Sequence, residues 1–432
     1  MISSELKRYN AFFAADGPAD VGACTIETTK GADMAETEDG IVIASAVRTP
    51  SGKFGGQLSS LSAAEMGIIV AREAIARAGV GAEDVDQSIF GIVLQANSGQ
   101  NVARQIALGA GMSRSSTAMT VNQVCGSGLK AVRLAQSAIV MGDADVVLAG
   151  GAESMSNVPF YLPASRFGHK YGNMPCVDGL HRDGLADAFS HKAMGITAEN
   201  VARRFHVTRG EQDAFAFASH RKAMAARDSG AFEDEMVPVV LSSRRGVLRL
   251  ARDETIRDDT SLEKLAKLRT AFLTDGTGTV TAGNASGISD AAAALVLMSV
   301  ETARRRGVEP LARITGYAEA GIDPEIMGYA PKLAVEKLSR RTGTPLEDVD
   351  LFEINEAFAA QSVAVVRDLG LPMNKTNVNG GAIALGHPLG ASGARVLTTL
   401  VHALERRDLR VGVATLCVGG GMGIATVVER IG

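Results

Sequence analysis

An α/β fold follows from three observations on the 432-residue sequence. Short Val/Ile/Leu-rich runs alternate with longer stretches of helical period, the pattern of layered α/β domains with substantial parallel pairing. The composition is 46% hydrophobic, yet only 4% aromatic, with Gly 48 and Trp 0. Small side chains of that kind suit layers packed closely. The third observation is internal repetition. Glu83-Asp-Val-Asp86, ahead of an apolar strand, recurs as Glu347-Asp-Val-Asp350 ahead of Leu351-Phe-Glu-Ile354. Gly126-Ser-Gly128 recurs as Ala391-Ser-Gly393, again before a helix-forming run. The displacements of 264 and 265 residues agree in register, so a duplication is expected. The implied architecture is two similar α/β halves facing each other, with a site between them.

The elements are taken in chain order. Residues 1–39 mix Asp, Glu, Thr, Lys and Gly without sustained period. With no apolar h-region and with acidic residues throughout, they fit neither a secretory signal nor a mitochondrial transit peptide. They read as a mobile extension, or as the product of a start codon upstream of Met34. Ile41-Val-Ile-Ala-Ser-Ala-Val47 is a buried strand, and Arg48 to Gly56 a loop. Ser62 to Ala78 reads as an amphipathic helix ended by Gly79, Val85 to Val93 as a strand, and Gly99 to Gly109 as a helix near a loop. Leu129 to Met141 is helical and stopped by Gly142; Asp145 to Ala149 is a further buried strand.

From Gly150 the pattern breaks. Residues 156–192 carry Pro, Gly, Tyr, Phe and His with no long period. Helices return at 194–206 and 208–229, the second with Thr208 as N-cap and Glu211 three residues on. Residues 238–252 suggest a polar strand pair, and 260–268 a short helix. Gly287 to Val300 is expected to be a helix feeding an Ala/Leu/Val strand, and Glu301 to Gly307 a linker helix. The expected division is therefore a first half of residues 40–159 with 287–310, an inserted segment 160–286, and a second half 311–432. Long irregular insertions often carry substrate contacts.

Charge and cysteine content exclude several classes. Net charge is −4 with mixed signs, which gives no reason to expect nucleic-acid or anionic-membrane binding. No uncharged apolar run approaches the ~18 residues of a membrane-spanning helix. The four cysteines, Cys24, Cys125, Cys176 and Cys417, form no CxxC pair, and the seven histidines show no HExxH. Zinc ligation and a disulfide framework are thus not expected; a reduced, cytoplasmic protein is.

The stretches that carry chemistry lie at strand ends. In Val121-Asn-Gln-Val-Cys-Gly-Ser-Gly-Leu129 an apolar approach ends at Cys125, and small residues lead into a helix. A helix N-terminus favours thiolate over thiol, and residues 126–128 leave room at the sulfur. Alone, Cys125 fits a buried structural cysteine as well. The second half adds Asn355-Glu-Ala-Phe358, a glycine-rich segment around His387, and Thr415-Leu-Cys-Val-Gly-Gly-Gly-Met-Gly423 with Cys417. Each also has a plain reading: loop histidine, core cysteine, turn asparagine. Three glycines after a strand imply positive φ or close backbone approach. Together the set is chemically coherent. A cysteine nucleophile needs a base, and His387 can take its proton. An acyl group on Cys125 is a thioester, whose oxyanion needs donors such as the backbone N–H groups of the 125 elbow and the 417–420 loop. A second cysteine suits proton transfer at carbon, which a simple hydrolase does not need.

With these stretches in hand, the sequence resembles the thiolase family, in its acetyl-CoA acetyltransferase branch. Further matching stretches are Arg48-Thr-Pro, residues 100–105, Gly150-Gly-Ala-Glu-Ser-Met155, Met194-Gly-Ile-Thr-Ala-Glu-Asn200 and Val280-Thr-Ala-Gly-Asn-Ala-Ser-Gly287. They run in family order over about residues 40–432. The resemblance implies a thiolase-like α/β fold, with two duplicated halves in an αβαβα arrangement and a loop domain at 160–286 covering coenzyme A. It implies an acyltransferase that condenses two acetyl-CoA into acetoacetyl-CoA and CoA, reversibly, with 3-ketoacyl-CoA thiolysis of broader chain length as the near alternative. A decarboxylating ketosynthase and a non-catalytic acyl-CoA-binding protein are weaker alternatives, because Cys417 and all four polar residues are retained. No cofactor is expected to be permanently bound; the CoA thioester is the substrate. A homo-oligomer, with four copies the family habit, is expected.

By position, the resemblance makes Cys125 the acylated nucleophile, His387 its base and an oxyanion contact, and Asn355 the holder of a water in that oxyanion site. Cys417 becomes the acid/base at the substrate α-carbon. The N–H groups of Cys125 and Gly419 become the second oxyanion hole. Ser286 is placed on the pantetheine arm, with Ala282 on the same loop and Arg257 near adenine and ribose. Met194, Phe272 and Phe358 complete the substrate-binding set. Three departures are visible: Ala193 stands where short-chain members carry histidine, the loop before Val280 is about two residues longer, and residues 1–39 have no counterpart.

Overall fold

The structure is a computed structural model and describes residues 40–243 and 246–431. The expectations for residues 1–39, including a start at Met34, lie outside the described residues, as does Cys24. In chain order the elements that position the site are β1 (Ile41–Arg48), α1 (Ala63–Arg77), β2 (Gln87–Gly91), α2 (Val102–Gly109), β3 (Thr117–Val121), α3 (Ser127–Met141) and β4 (Val146–Ser154). Then come α4 (Met194–Arg204), α5 (Arg209–Asp228), the hairpin strands β5 (Val239–Ser243) and β6 (Gly246–Leu250), and β7 (Ser289–Ser299). The chain closes with α6 (Val300–Arg306), β8 (Ala312–Gly321), α7 (Ala330–Thr342), β9 (Leu351–Ile354), α8 (Ala359–Asp368), α9 (Leu389–Arg406), β10 (Val411–Val418) and β11 (Met422–Arg430).

The main sheet runs β9-β10-β11-β8-β1-β7-β4-β2-β3, with Gly52–Lys53 pairing on β7. The halves meet edge to edge where Ile41 of β1 pairs Ile314 of β8. Numbered within its own half, each set of strands follows the order 3-2-4-5-1. In the second half the third position is held by Thr376, bridged in parallel to Phe352. Pairing is parallel for β2 with β3, β2 with β4, and β9 with β10, and antiparallel at the other joins.

The repeat extends to single atoms. Asp86 Oδ2 accepts from the N–H groups of Asp145 and Val146 at 2.8 and 3.0 Å. Asp350 Oδ2 accepts from those of Arg410 and Val411, both at 2.9 Å. Each carboxylate therefore caps the start of a neighbouring strand, which is why both EDVD copies sit where they do.

Helices α3 and α9 cross in the centre, between the strands of the two halves. Their shared core includes Leu129, Val132, Val147, Leu295, Leu397, Leu400, Leu416 and Ile424. Helix α9 is buried from Leu389 through Leu404. Each fully buried Leu or Val contributes ~1.5–3 kcal/mol, and the buried polar side chains of Ser392, Arg395 and His402 make hydrogen bonds. The crossing needs glycine: a Cβ on Gly128 would strike the backbone nitrogen of Ala394, and one on Gly393 that of Leu129. Helices α1 and α2 cover the outer face of the first half, and α7 that of the second. Helix, strand, helix, strand and helix thus stack in the expected five layers.

Most elements fall within a few residues of expectation, including the Thr208–Glu211 capping box at the start of α5. One assignment is corrected. Residues 289–299 form a single strand, not a helix feeding a strand. Ala291 to Ala294 are buried between β1 and β4, with helices close on both faces. Alanine's small side chain there serves sheet–helix packing, and tertiary context overrides its helix propensity. No helix among the described residues is long and apolar enough to cross a membrane.

Candidate active site

The cysteine elbow between β3 and α3 is tighter than a plain strand-to-helix turn. Val124 has φ 46°, a conformation that costs a β-branched residue ~1–3 kcal/mol. It is held by Asn122 Oδ1, which accepts from Val124 N at 2.9 Å, and by Ser127 Oγ, which accepts from Gln123 N at 2.8 Å. Ser127 Oγ in turn donates to Val124 O at 2.6 Å. Cys125, 7% exposed, is thereby presented just ahead of α3. The helix terminus was expected to favour thiolate. Burial instead pushes the thiol up to about 11, partly offset by the N–H groups of Gly419 and of Cys125 itself, which point at the sulfur. These two groups are the pair expected to form an oxyanion hole.

Gly419 reaches the sulfur because the loop after β10 carries no side chain there: a Cβ on Gly419 would lie 3.0 Å from Val124 Cγ1. Gly420 and Gly421 follow with φ 84° and 83°, as the glycine run implied. Cys417, near the end of β10, is fully buried and packs with Met327, Ala357, Met194 and Phe358. Burial pushes its thiol above the ordinary range, and the proximity of Cys125 adds to this.

His387 precedes α9. Its Nδ1 lies 2.6 Å from Ser392 Oγ, and Ser392 Oγ lies 2.8 Å from Pro388 O. A hydroxyl has one hydrogen, so with that hydrogen on the Pro388 carbonyl, Nδ1–H donates to Ser392 and Nε2 is left as the free base. Asn355 Nδ2 lies 3.4 and 3.5 Å from the two ring nitrogens. Asn355 is itself fixed by donating its N–H to Thr415 O at 2.9 Å, beside Cys417's strand. Burial, helped by Arg395, depresses His387 to about 3, so the ring is neutral at pH 7. Arg395 is buried, pairs with Glu353 at 3.0 Å and approaches Asn355 Oδ1 at 3.5 Å. A direct Cys125–His387 hydrogen bond is not among those of the described residues; both side chains line the same cavity.

That cavity is about 1310 Å³. Cys125, His387 and Gly419 line it, and so do Met194, Arg257, Phe272, Ala282, Ser286 and Phe358. Asn355 and Cys417 lie behind its wall, against His387 and Met194 respectively. The 281–287 loop is fixed on several sides: Ser286 N donates to Ala357 O, Ala359 N to Asn284 O, and His387 N to Gly287 O. Glu199 holds the entry to this loop by accepting from the N–H groups of Thr279 and Val280. Phe272 and Phe358 meet edge to face at 6.2 Å. Arg257 N donates to His220 Nδ1 at 3.2 Å.

Four residues given no role from sequence contribute. Ser392 holds His387 Nδ1, Arg395 approaches Asn355 and helps keep His387 neutral, and Gln361 touches Cys417. Glu153 accepts from the N–H groups of Val93, Leu94 and Gly390 at 3.0, 3.1 and 2.7 Å, and burial pushes its carboxyl up to about 7. It ties the cavity wall at Val93 to the start of α9. A lone acid in a strand buried along its whole length was the available signal. No group of His, Cys, Asp and Glu among the described residues could hold a metal ion.

A buried elbow cysteine on one half, facing an imidazole and a second thiol from the other, is the equipment of a cysteine-dependent acyl-transfer enzyme. Residues 41–301 match the thiolase N-terminal domain, and residues 308–430 the thiolase C-terminal domain. The chain belongs to the thiolase family. It is 53% identical over 391 residues to an acetyl-CoA acetyltransferase of Chromobacterium violaceum, covering 90% of this chain and 99% of that protein. It is 51% identical to the cytosolic acetyl-CoA acetyltransferase of Mus musculus, with 91% and 98% covered. The crystal structure of the Bacillus anthracis acetyl-CoA acetyltransferase superposes with a TM-score of 0.89 at 44% identity, over 91% of this chain and 99% of that one.

Proposed function

We propose that the chain condenses two acetyl-CoA molecules into acetoacetyl-CoA and CoA through an acyl-cysteine, and runs the reverse thiolysis. The observation that carries this is the convergence of Cys125, His387 and Gly419 on one cavity with Cys417 directly behind it. A hydrolase would use the first three alone; the buried second thiol is the group that carbon–carbon bond chemistry requires.

His387 Nε2 takes the Cys125 proton as the sulfur attacks the thioester carbonyl. The tetrahedral oxyanion collapses, and the CoA thiolate leaves with the proton of the Cys417 thiol, so that Cys417 becomes a thiolate while His387 stays protonated. The second acetyl-CoA then loses an α-proton to Cys417. Its enolate oxygen is met by Nε2–H of protonated His387 and by the water held on Asn355, and its carbon attacks the acyl carbon on Cys125, which forms the new C–C bond. That second oxyanion points at the N–H groups of Cys125 and Gly419. Collapse of that adduct breaks the C–S bond, and the proton on His387 returns to the Cys125 thiolate, while Cys417 keeps the α-proton as its thiol.

Ser286, Ala282 and Arg257 line the cavity and are assigned to the pantetheine arm, its loop and the nucleotide. Residues 160–286 serve as the cover over CoA, between halves formed by 40–159 with 287–310 and by 311–432. A cytoplasmic homo-oligomer, in fours as the resemblance implies, completes the reading. The test is thiolysis rate against 3-ketoacyl chain length. A sharp fall beyond four carbons is expected, while a flat profile would point to degradative thiolysis of longer chains.

A further inference from the structure

Gln361 is the third residue of α8 and fully buried. Two neighbours decide which end of its amide faces where. The carbonyl of Asn355 can only accept, and the amide end 3.1 Å from it is therefore the nitrogen. The backbone N–H of Ser362 can only donate, and the end 2.8 Å from it is therefore the oxygen. The nitrogen end is also the atom 3.3 Å from Cys417 Sγ. An NH₂ group has two hydrogens. One goes to Asn355 O, and the other is directed to the sulfur.

Met327, Ala357, Met194 and Phe358 pack around Cys417, and Cys125 is close by. A thiolate formed there has left water and needs a donor. The first turn of α8 brings the positive end of that helix to the same place. A thiol accepts a hydrogen bond weakly, whereas a thiolate accepts strongly. The fixed N–H of Gln361 therefore discriminates between the two states of the sulfur.

We propose that Gln361 is a positioning residue for carbon-acid chemistry: its amide nitrogen donates to Cys417 when that sulfur is a thiolate, and ties the sulfur to the backbone of Asn355. The inference rests on the reading of Cys417 as the acid/base at the α-carbon. It adds the group that makes such a buried anion accessible and holds it in register with the enolate site.

The test uses the purified full-length enzyme carrying Gln361→Met, which keeps length and apolar packing but removes the donor. Acetylation of Cys125 by acetyl-CoA, followed by mass, should match the parent. The kcat for condensation should fall about 10–100-fold, within the range that a positioned proton-transfer group supplies, with KM little changed. The limb of the pH–rate profile that reports thiolate formation should move to higher pH, a shift that a purely structural role would not produce. A Gln361→Met enzyme that acetylates, condenses at the parental rate and keeps the parental profile overturns the inference. If that variant does not fold, Gln361→Glu, of the same shape, takes its place. It directs an acceptor at the sulfur, so condensation should fall further, and a parental rate would again overturn the proposal. Cys417→Ala is the control. If it condenses normally, the reading of Cys417 fails. If it is silent while Gln361→Met is parental, only the role of Gln361 fails.

Discussion

His387 donates from Nδ1 to Ser392 Oγ at 2.6 Å, and the two residues stand five apart across the start of α9. The hydrogen bond fixes which nitrogen of the ring is free. Ser392→Ala removes it and lets both tautomers populate. The expected outcome is a fall of about tenfold or more in kcat, a fraction of what correct proton placement is worth. The fall should appear in acylation of Cys125 as well as in condensation. Steady-state kinetics together with a burst measurement of acyl-enzyme formation check it.

The two cysteines separate by step. Cys125→Ser should fold and lose thiolysis by at least about 10³-fold, because the hydroxyl is a far poorer nucleophile at neutral pH. Cys417→Ala should still take up one acetyl group on Cys125 and hardly condense. Mass spectrometry of each variant after mixing with acetyl-CoA reads the difference. Acetyl-Cys125 missing in Cys417→Ala would reassign Cys417.

The buried histidines set the acid side of stability. His387 is depressed to about 3 and His220 to about 4, in both cases first by burial. Between the ordinary histidine value near 6.5 and those values the unfolded chain binds more protons than the folded one. Stability therefore falls as pH drops through that window, by up to about 1.4 kcal/mol per pH unit for each group. His220→Gln keeps an acceptor for Arg257 N but does not titrate. Its melting temperature should fall less than the parent's between pH 6.5 and 4, as followed by circular dichroism.

The central crossing should tolerate no added methyl. Gly393→Ala forces a Cβ against the backbone nitrogen of Leu129, where neither helix can yield without moving its sheet. A loss of about 1–3 kcal/mol or more is expected, in line with overpacking of close-packed cores. Denaturant unfolding measures it. Gly142→Ala is the contrasting case: that glycine has φ 77° but open space around it, so its cost comes from backbone conformation alone.

The layers and the repeat were legible because they rest on local signals. Hydrophobic period, the Thr208 cap and the paired EDVD stretches are all written within a few residues of sequence. The strand at 289–299 was misread because an alanine run carries no period, and only its neighbours decide its state. The site shows the same contrast. Cys125, His387, Asn355, Cys417 and Gly419 announced themselves at strand ends and glycine turns. Ser392, Arg395, Gln361 and Glu153 did not, since each acts through a contact with a residue distant in the chain or through a side chain whose partner the sequence does not name. Nor did the elbow reveal that burial outweighs the helix terminus at Cys125; that balance depends on what packs over it.

The glycine contacts at the crossing of α3 and α9 are reciprocal: Gly128 meets Ala394, and its counterpart Gly393 meets Leu129, the counterpart of Ala394. A contact in which each side presents the same patch to the other is the geometry of an isologous homodimer. Here both partners are carried on one polypeptide, and that linkage has a consequence. Two identical subunits must place the same residue on both sides of their axis. A fused pair is free of this rule, so 265 positions after Cys125 the chain carries Gly390, and 265 before His387 it carries Asn122. Under the proposed mechanism, tethering the two copies lets one face serve as acyl carrier and the other as proton handler, without giving up the interface that holds them together.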